Sequence, residues 1–294
     1  MMKAPRLLAA AVGLMVSTVS VANGRVIYGD DDRRDLFDIK NDPKFVEIAK
    51  STAIVLYTAK LTADQQRQNQ FKVPMDTFGS EQDLCPSEPF FSQPAPGFCS
   101  GFLVAPDVFV TAGHCIEDAE ACEGTSFIFD YGYDRQDKDL SSVSGQNVYQ
   151  CKSIISRKLD GGRGLDYAIV RLDRPAVDRK PLKIRHTGEI LPGEGVTVIG
   201  HPSGLPTKIT SGAKVRVNDT TEPFFVTNLD TYGGNSGSAV FNTSTGEVEG
   251  ILVRGETDFV KQNGCLVSNH CAEGACRGED VTRAANFLQY IPAN

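Results

Sequence analysis

With 294 residues, 40% of them hydrophobic, and 28 glycines, the chain is long enough to bury one large core or two smaller ones, which excludes a disordered protein. A formal net charge of -7 without any basic cluster gives no footprint for a nucleic-acid partner. Beyond the N-terminal stretch, no apolar run approaches the roughly 20 residues of a membrane span, so no membrane partner is expected.

The first two dozen residues carry Lys3 and Arg6, then an apolar stretch from Leu7 to Val21, then small residues at Ser20 and Ala22. That is the layout of a secretory signal peptide ending at Ala22, and it predicts a soluble, secreted or periplasmic protein. Removing residues 1–25 takes away Lys3, Arg6 and Arg25 and no acid, which moves the net charge from -7 to -10. Short apolar or alternating runs follow at Ala53–Tyr57, Val108–Thr111, Ala168–Leu172, Val196–Ile199 and Val248–Val253, separated by Gly, Pro and Asp clusters. They predict strands. Between Lys60 and Gly97 the composition turns to Gln, Pro, Ser and Asp, as in a surface insertion without its own core. The charged, Pro-bearing segment Asp173–Arg185 suits a linker between two compact halves, residues 26–175 and 176–294. One helix is predicted, from about Thr282 to Tyr290. Many strands with a terminal helix give an all-β class, sandwich or barrel.

Eight cysteines, Cys85, Cys99, Cys115, Cys122, Cys151, Cys265, Cys271 and Cys276, lie beyond the signal. An even count in an exported chain predicts disulfides, and the paired Cys-x-x-Cys spacing of a zinc site is missing. No metal and no cofactor are expected. Asp30-Asp31-Asp32 reads as a solvated acidic turn in preference to a calcium ligand.

Breaking a peptide bond with a serine needs a base for its proton, an acid to orient the base, and donors for the developing oxyanion. Of the four histidines, His114 follows the strand-like Phe109-Val110-Thr111-Ala112-Gly113, while His201-Pro202 reads as a turn closing a strand. Ser236 sits in Tyr232-Gly233-Gly234-Asn235-Ser236-Gly237-Ser238, where glycines allow the amides of Gly234 and Ser236 to point to one spot. Asp166 opens Asp166-Tyr167-Ala168-Ile169-Val170, a carboxylate at the mouth of a buried strand. Each context alone has an ordinary structural reading. Their co-occurrence in the order His, Asp, Ser does not.

These segments resemble those around the triad of trypsin/chymotrypsin-like serine proteases. The resemblance extends to Cys99-Ser100-Gly101-Phe102 leading into Ala112-Gly113-His114-Cys115, which implies a Cys99 to Cys115 bridge, and to Val281-Thr282-Arg283 with the terminal segment after it. It implies two six-stranded antiparallel β-barrels with a C-terminal α-helix. His114, Asp166 and Ser236 would be the triad, and Gly234 and Ser236 the oxyanion hole. Gly250-Ile251-Leu252-Val253-Arg254-Gly255 resembles the strand that binds substrate backbone. The implied activity is that of a monomeric secreted serine endopeptidase acting on proteins or peptides. Cys122 and Cys151 suit a second bridge, and the other four cysteines allow three pairings.

Two departures matter. Asn235 stands where trypsin-like enzymes carry the aspartate that pairs with a new N-terminal amine, so activation by that charge switch is not expected. Gly-Asn-Ser-Gly-Ser and the segment from Val26 resemble the glutamyl endopeptidase branch, which implies a zymogen cut after Arg25 as an alternative to a single cut after Ala22. Specificity signals conflict. Asp230 matches the floor of the trypsin pocket, with Glu279 and Asp280 near its back, and favours Arg or Lys before the scissile bond. Thr231 suits glutamyl specificity, and Arg254 would either pair with Asp230 or meet an acidic substrate. A non-cleaving binding protein or toxin of the same fold is the alternative from another class.

Overall fold

The computed structural model describes residues 27–40, 42–272 and 274–292; the expected signal segment, both expected cleavage points and Val26 lie outside them. Twelve strands carry the architecture. Thr52–Tyr57 (β1), Cys99–Ala105 (β2), Val108–Thr111 (β3), Thr125–Phe129 (β4), Val148–Leu159 (β5) and Asp166–Leu172 (β6) close into an antiparallel barrel in the order β5-β6-β3-β2-β1-β4. Gly195–Gly200 (β7), Lys208–Val217 (β8), Phe224–Thr227 (β9), Ala239–Asn242 (β10), Val248–Arg254 (β11) and Glu279–Arg283 (β12) follow in the order β7-β10-β11-β12-β9-β8. The pairing of β7 with β8 closes this second barrel.

The apolar runs in these strands are nearly continuous because both of their faces are covered. Successive side chains of a strand point to opposite sides. In β1, Ala53 and Val55 enter the central core, whereas Ile54 and Leu56 pack outward with Val73, Ile128 and Leu140. In the second barrel, Val196, Val198, Val240 and Leu252 fill the interior while Ile199, Phe241 and Ile251 turn toward the first barrel. One core therefore runs through the contact between the barrels.

The excursion at 60–97 has no separate core but is not bare surface. Its strands Thr62–Ala63 and Gln70–Lys72 form a small sheet with Ser142–Ser144. Phe78, Leu84 and Ala95 then pack against Ile27, Leu205 and Tyr232. Arg34–Asp35 pairs with β8, so the N-terminal segment is stitched to the second barrel. Disulfides join Cys99 to Cys115 and Cys122 to Cys151 as expected, and further bridges join Cys85 to Cys265 and Cys271 to Cys276.

The expected C-terminal α-helix is corrected. Thr282 and Arg283 end β12, and Ala284–Asn286 and Leu288–Tyr290 are two 3-10 turns. Between them Phe287 leaves helical geometry at φ -125°, and its fully buried ring lies 5.9 Å from that of Tyr167. Burying that ring outweighs the weak helical preference of so short a segment. No helix among the described residues is long and apolar enough to cross a membrane.

Phe109, fully buried in the first barrel, packs against a tilted Phe127 ring with centroids 4.3 Å apart and meets Phe129 edge-on at 5.9 Å. A Cβ on Gly101 would stand 2.3 Å from its ring, so glycine is required there. Phe109→Ala should destabilise the protein by about 3–5 kcal/mol, read as a lower midpoint in urea unfolding. A change under about 1 kcal/mol would mean the barrel collapses around the cavity.

Candidate active site

His114 stands just past the end of β3, at the foot of a tightly held turn. A Cβ on Gly113 would lie 2.1 Å from the Lys158 carbonyl, so only glycine lets the chain pass the β5–β6 hairpin this closely. Arg157 Nε donates to the Gly113 carbonyl at 2.8 Å, and the Cys99–Cys115 bridge holds the next residue. Asp166, buried at the start of β6, receives the His114 amide at 3.1 Å and faces His114 Nδ1 at 2.8 Å. An imidazole donating from Nδ1 keeps Nε2 unprotonated, the tautomer a general base requires.

Ser236 comes from the second barrel. Its carbonyl accepts the Ser100 amide at 2.9 Å and lies 3.7 Å from Sγ of Cys115, the residue after His114. Gly234 and Gly237 adopt φ of +83° and +91°, a region open to glycine. A Cβ on Gly237 would also meet the Ser100 carbonyl at 2.1 Å. Among the described residues, the amides of Gly234 and Ser236 donate to no protein acceptor, so both are available to an oxyanion. Asn235 is buried, and its side-chain oxygen accepts from Ser238 Oγ at 3.0 Å. A neutral amide satisfied locally leaves no charge there for an N-terminal amine.

A cleft of about 310 Å³ opens beside Ser236, lined by Thr231–Gly233, Leu252–Asp258 and Glu279. Thr231, Val253, Arg254 and Gly255 all line this cleft. Asp230 does not. Its Oδ1 accepts the Tyr28 amide at 2.7 Å and its Oδ2 the Asp32 amide at 3.2 Å, because the N-terminal segment packs against it from behind the pocket wall. Arg254 does not pair with Asp230 either: it bonds Asp280 at 3.3 Å and the Gly164 carbonyl at 3.0 Å. Its Nη1 lies 3.9 Å from Asp166.

Two acids stand out in the pocket lining: Glu279, which the resemblance put near the pocket's back, and Asp258, which the sequence did not single out. Asp258 accepts the Gly233 amide at 2.6 Å, and burial pushes its carboxyl up to about 6. Glu279, 2% exposed, is pushed by burial up to about 8. The Asp30–Asp32 run is no simple solvated turn, since Asp31 pairs with buried Arg33 at 2.6 Å and Asp32 accepts the Ser211 amide at 3.0 Å. His201, fully buried, faces the Leu205 carbonyl through Nδ1 at 2.9 Å and is held neutral by burial, down to about 3. His186 and His270 are exposed and stand apart from the pocket lining.

Burial raises Asp230 to about 7 from 3.8, with Asp32 and Asp31 adding repulsion and the two amides opposing. The folded chain therefore holds a proton between about pH 4 and pH 7 that the unfolded chain has released. The contribution of Asp230 to stability therefore falls as pH rises through that window, by up to about 1.4 kcal/mol per pH unit. Urea unfolding at pH 4.5 and 7.5 should show a larger loss in the wild type than in Asp230→Asn. Equal losses would refute the assignment.

A trypsin-like peptidase domain matches residues 99–251. The chain is 28% identical over 154 residues to glutamyl endopeptidase of Bacillus licheniformis, a match covering 51% of this chain and 46% of that relative. It is 30% identical over 158 residues to a probable periplasmic serine endoprotease DegP-like of Pseudomonas savastanoi pv. phaseolicola, covering 52% and 28%. The matches thus span less than half the length of either curated relative. Among solved structures, a Glu endopeptidase in complex with MPD superposes with a TM-score of 0.52 at 18% identity, covering 90% of this chain and 97% of that one.

Proposed function

The chain belongs to the trypsin-like peptidase family, and from that premise we propose that it is an exported serine endopeptidase cleaving proteins or peptides after Arg or Lys. Ser236 Oγ attacks the scissile carbonyl carbon while His114 Nε2 takes its proton. The tetrahedral oxyanion is received by the amides of Gly234 and Ser236. His114 then passes the proton to the leaving amine, and water repeats the sequence on the acyl-enzyme. Asp166 keeps the imidazole in the required tautomer and stabilises its charged form. The observation that carries this reading is the 2.8 Å contact of His114 Nδ1 with a buried carboxylate, beside a serine loop whose amides are unengaged.

Preference for a basic residue is supported by the acids in the pocket wall, Glu256, Asp258 and Glu279. The one arginine among the lining residues is already engaged by Asp280. A glutamate side chain would meet like charge there once those carboxyls ionise. The name of the Bacillus licheniformis relative favours the second reading, cleavage after Glu. Maturation by a cut after Arg25 is supported by Ile27, which is fully buried and whose amide donates to the Asn269 carbonyl at 2.9 Å. A docked segment directly after the cut suits a processed terminus.

A fluorophosphonate probe should label the mature protein at Ser236 and leave Ser236→Ala unlabelled, while Asp166→Asn lowers kcat by about 10⁴-fold. A folded wild type that resists the probe would instead point to a non-cleaving binding protein. N-terminal sequencing of the exported protein should read from Val26; a start at Asn23 would remove the second cut.

A further inference from the structure

Five carboxylates stand in or near the pocket wall, and their partners separate them. Asp280 is fully buried under Arg254 at 3.3 Å, Arg163 at 3.6 Å and Arg277, so its charge is already met. Asp230 is turned to the amides of Tyr28 and Asp32 and is absent from the lining. Asp258 takes the Gly233 amide and so braces the serine loop. Glu256 is partly exposed, its Oε1 receiving the Arg277 amide at 3.0 Å.

Glu279 alone of the five is both buried and part of the pocket lining. Its Oε1 accepts the Tyr28 hydroxyl at 3.1 Å and the Glu256 amide at 3.4 Å, and its Oε2 accepts Thr231 Oγ1 at 3.1 Å. All three donors are neutral, and among the described residues no Lys or Arg forms an ion pair with it. A Cβ on Gly255 would fall 1.7 Å from Oε2, so the carboxylate lies directly against the bare backbone just past the end of β11. A buried carboxylate with ordered donors and no cation is costly, and a guanidinium or ammonium entering from the pocket would complete it.

Resting on the basic-residue preference above, we propose that Glu279 receives the cation of the residue before the scissile bond. Tyr28 is its positioning residue, and Asp230 anchors the N-terminal segment without reading substrate. Tyr28 links these roles, because its amide binds Asp230 while its hydroxyl binds Glu279. The docked N-terminal segment thereby forms the rear of the specificity site.

The groups facing Glu279 are Tyr28 from the N-terminal segment, Thr231 from the serine loop, and Glu256 and Asp258 from the pocket wall. Arg277 is nearby but held by Asp280, and Arg216 lies over the Tyr28 ring at 4.6 Å. Burial and Glu279 push the Tyr28 hydroxyl upward, so it remains a donor across the neutral range. The free carboxyl, pushed up to about 8, must ionise to take a cation. Selectivity for a charged side chain should therefore rise with pH.

The test compares kcat/KM for two peptides that differ only in arginine or uncharged, isosteric citrulline before the scissile bond, from pH 6 to 9. The proteins are wild type, Glu279→Gln, Asp230→Asn and Tyr28→Phe, each counted by fluorophosphonate titration. In the wild type the arginine/citrulline ratio should climb with a midpoint near pH 8. Glu279→Gln should cut that ratio about 30-fold or more and flatten its pH dependence. Asp230→Asn should keep it within about 3-fold. Tyr28→Phe removes a donor to the carboxylate, so it should lower the ratio and move the midpoint upward, which a purely structural residue would not do. A retained ratio in Glu279→Gln, or a lost one in Asp230→Asn, overturns the proposal. If Glu279→Gln cannot be labelled, the wild-type profile decides, and a ratio flat from pH 6 to 9 overturns it. A wild type that cuts after arginine with an unchanged Glu279→Gln sinks this assignment alone. A wild type that prefers glutamate sinks the basic-residue reading with it.

Discussion

The contact of Ser100 with the serine loop fixes the crevice on which the rest of the site depends. Ser100 is fully buried in β2 of the first barrel. Its amide donates to the Ser236 carbonyl and its hydroxyl to that of Gly234, both at 2.9 Å. The same hydroxyl accepts the His201 amide at 2.8 Å, and the Ser100 carbonyl accepts Thr111 Oγ1 at 2.7 Å. One residue thus ties the serine loop, the end of β7 and the strand leading to His114. Parting the barrels would orphan several buried polar groups, each costing about 1–3 kcal/mol. Gly237 follows from this tie, because no larger residue fits under the Ser100 carbonyl.

A second tie lies on the opposite flank. Lys208 of β8, 2% exposed, forms an ion pair with Asp35 of the N-terminal segment and donates to Gln93 of the excursion at 2.7 Å. Burial lowers the ammonium to about 8, and the carboxylate opposes that shift. A charge so placed is tolerated only with its partners in register. The N-terminal segment, the excursion and the second barrel are accordingly bound to one arrangement. The Cys85–Cys265 bridge adds a covalent link between the excursion and the hairpin after the pocket wall.

What was legible in the sequence was local. Val108–Thr111 matches β3 residue for residue, and the other runs lie inside their strands, because apolar, β-branched stretches bounded by turn residues encode a buried strand directly. The contexts of His114, Asp166 and Ser236 are each a few residues long and carry their own glycines or strand ends. The Cys85–Cys265 bridge, separated by 180 residues, has no such signature. The terminal segment misled because its helical period describes the burial of Phe287 and Leu288 equally well. Asp230 misled for a tertiary reason: its position along the chain suits a pocket floor, but the N-terminal segment occupies its oxygens.

The division between legible and hidden residues follows how each part of the site is built. Residues 99–251, the stretch shared with the family, hold His114, Asp166, Ser236 and the amides of Gly234 and Ser236. Most of the pocket lining lies beyond that stretch, at Leu252–Asp258 and Glu279, and Tyr28, which bonds Glu279, lies before it. The hydrolytic geometry tolerates little change, since the imidazole, carboxylate and serine loop are locked by short hydrogen bonds through Ser100 and Gly113. The pocket wall is assembled from segments that meet only after folding, and its charge depends on which carboxylates find an arginine. Moving a single arginine from Asp280 to Glu279 would neutralise that carboxyl while leaving the serine and histidine untouched. The charge of the pocket wall is therefore a property of partner choice among buried acids, and a shared serine motif carries little information about it.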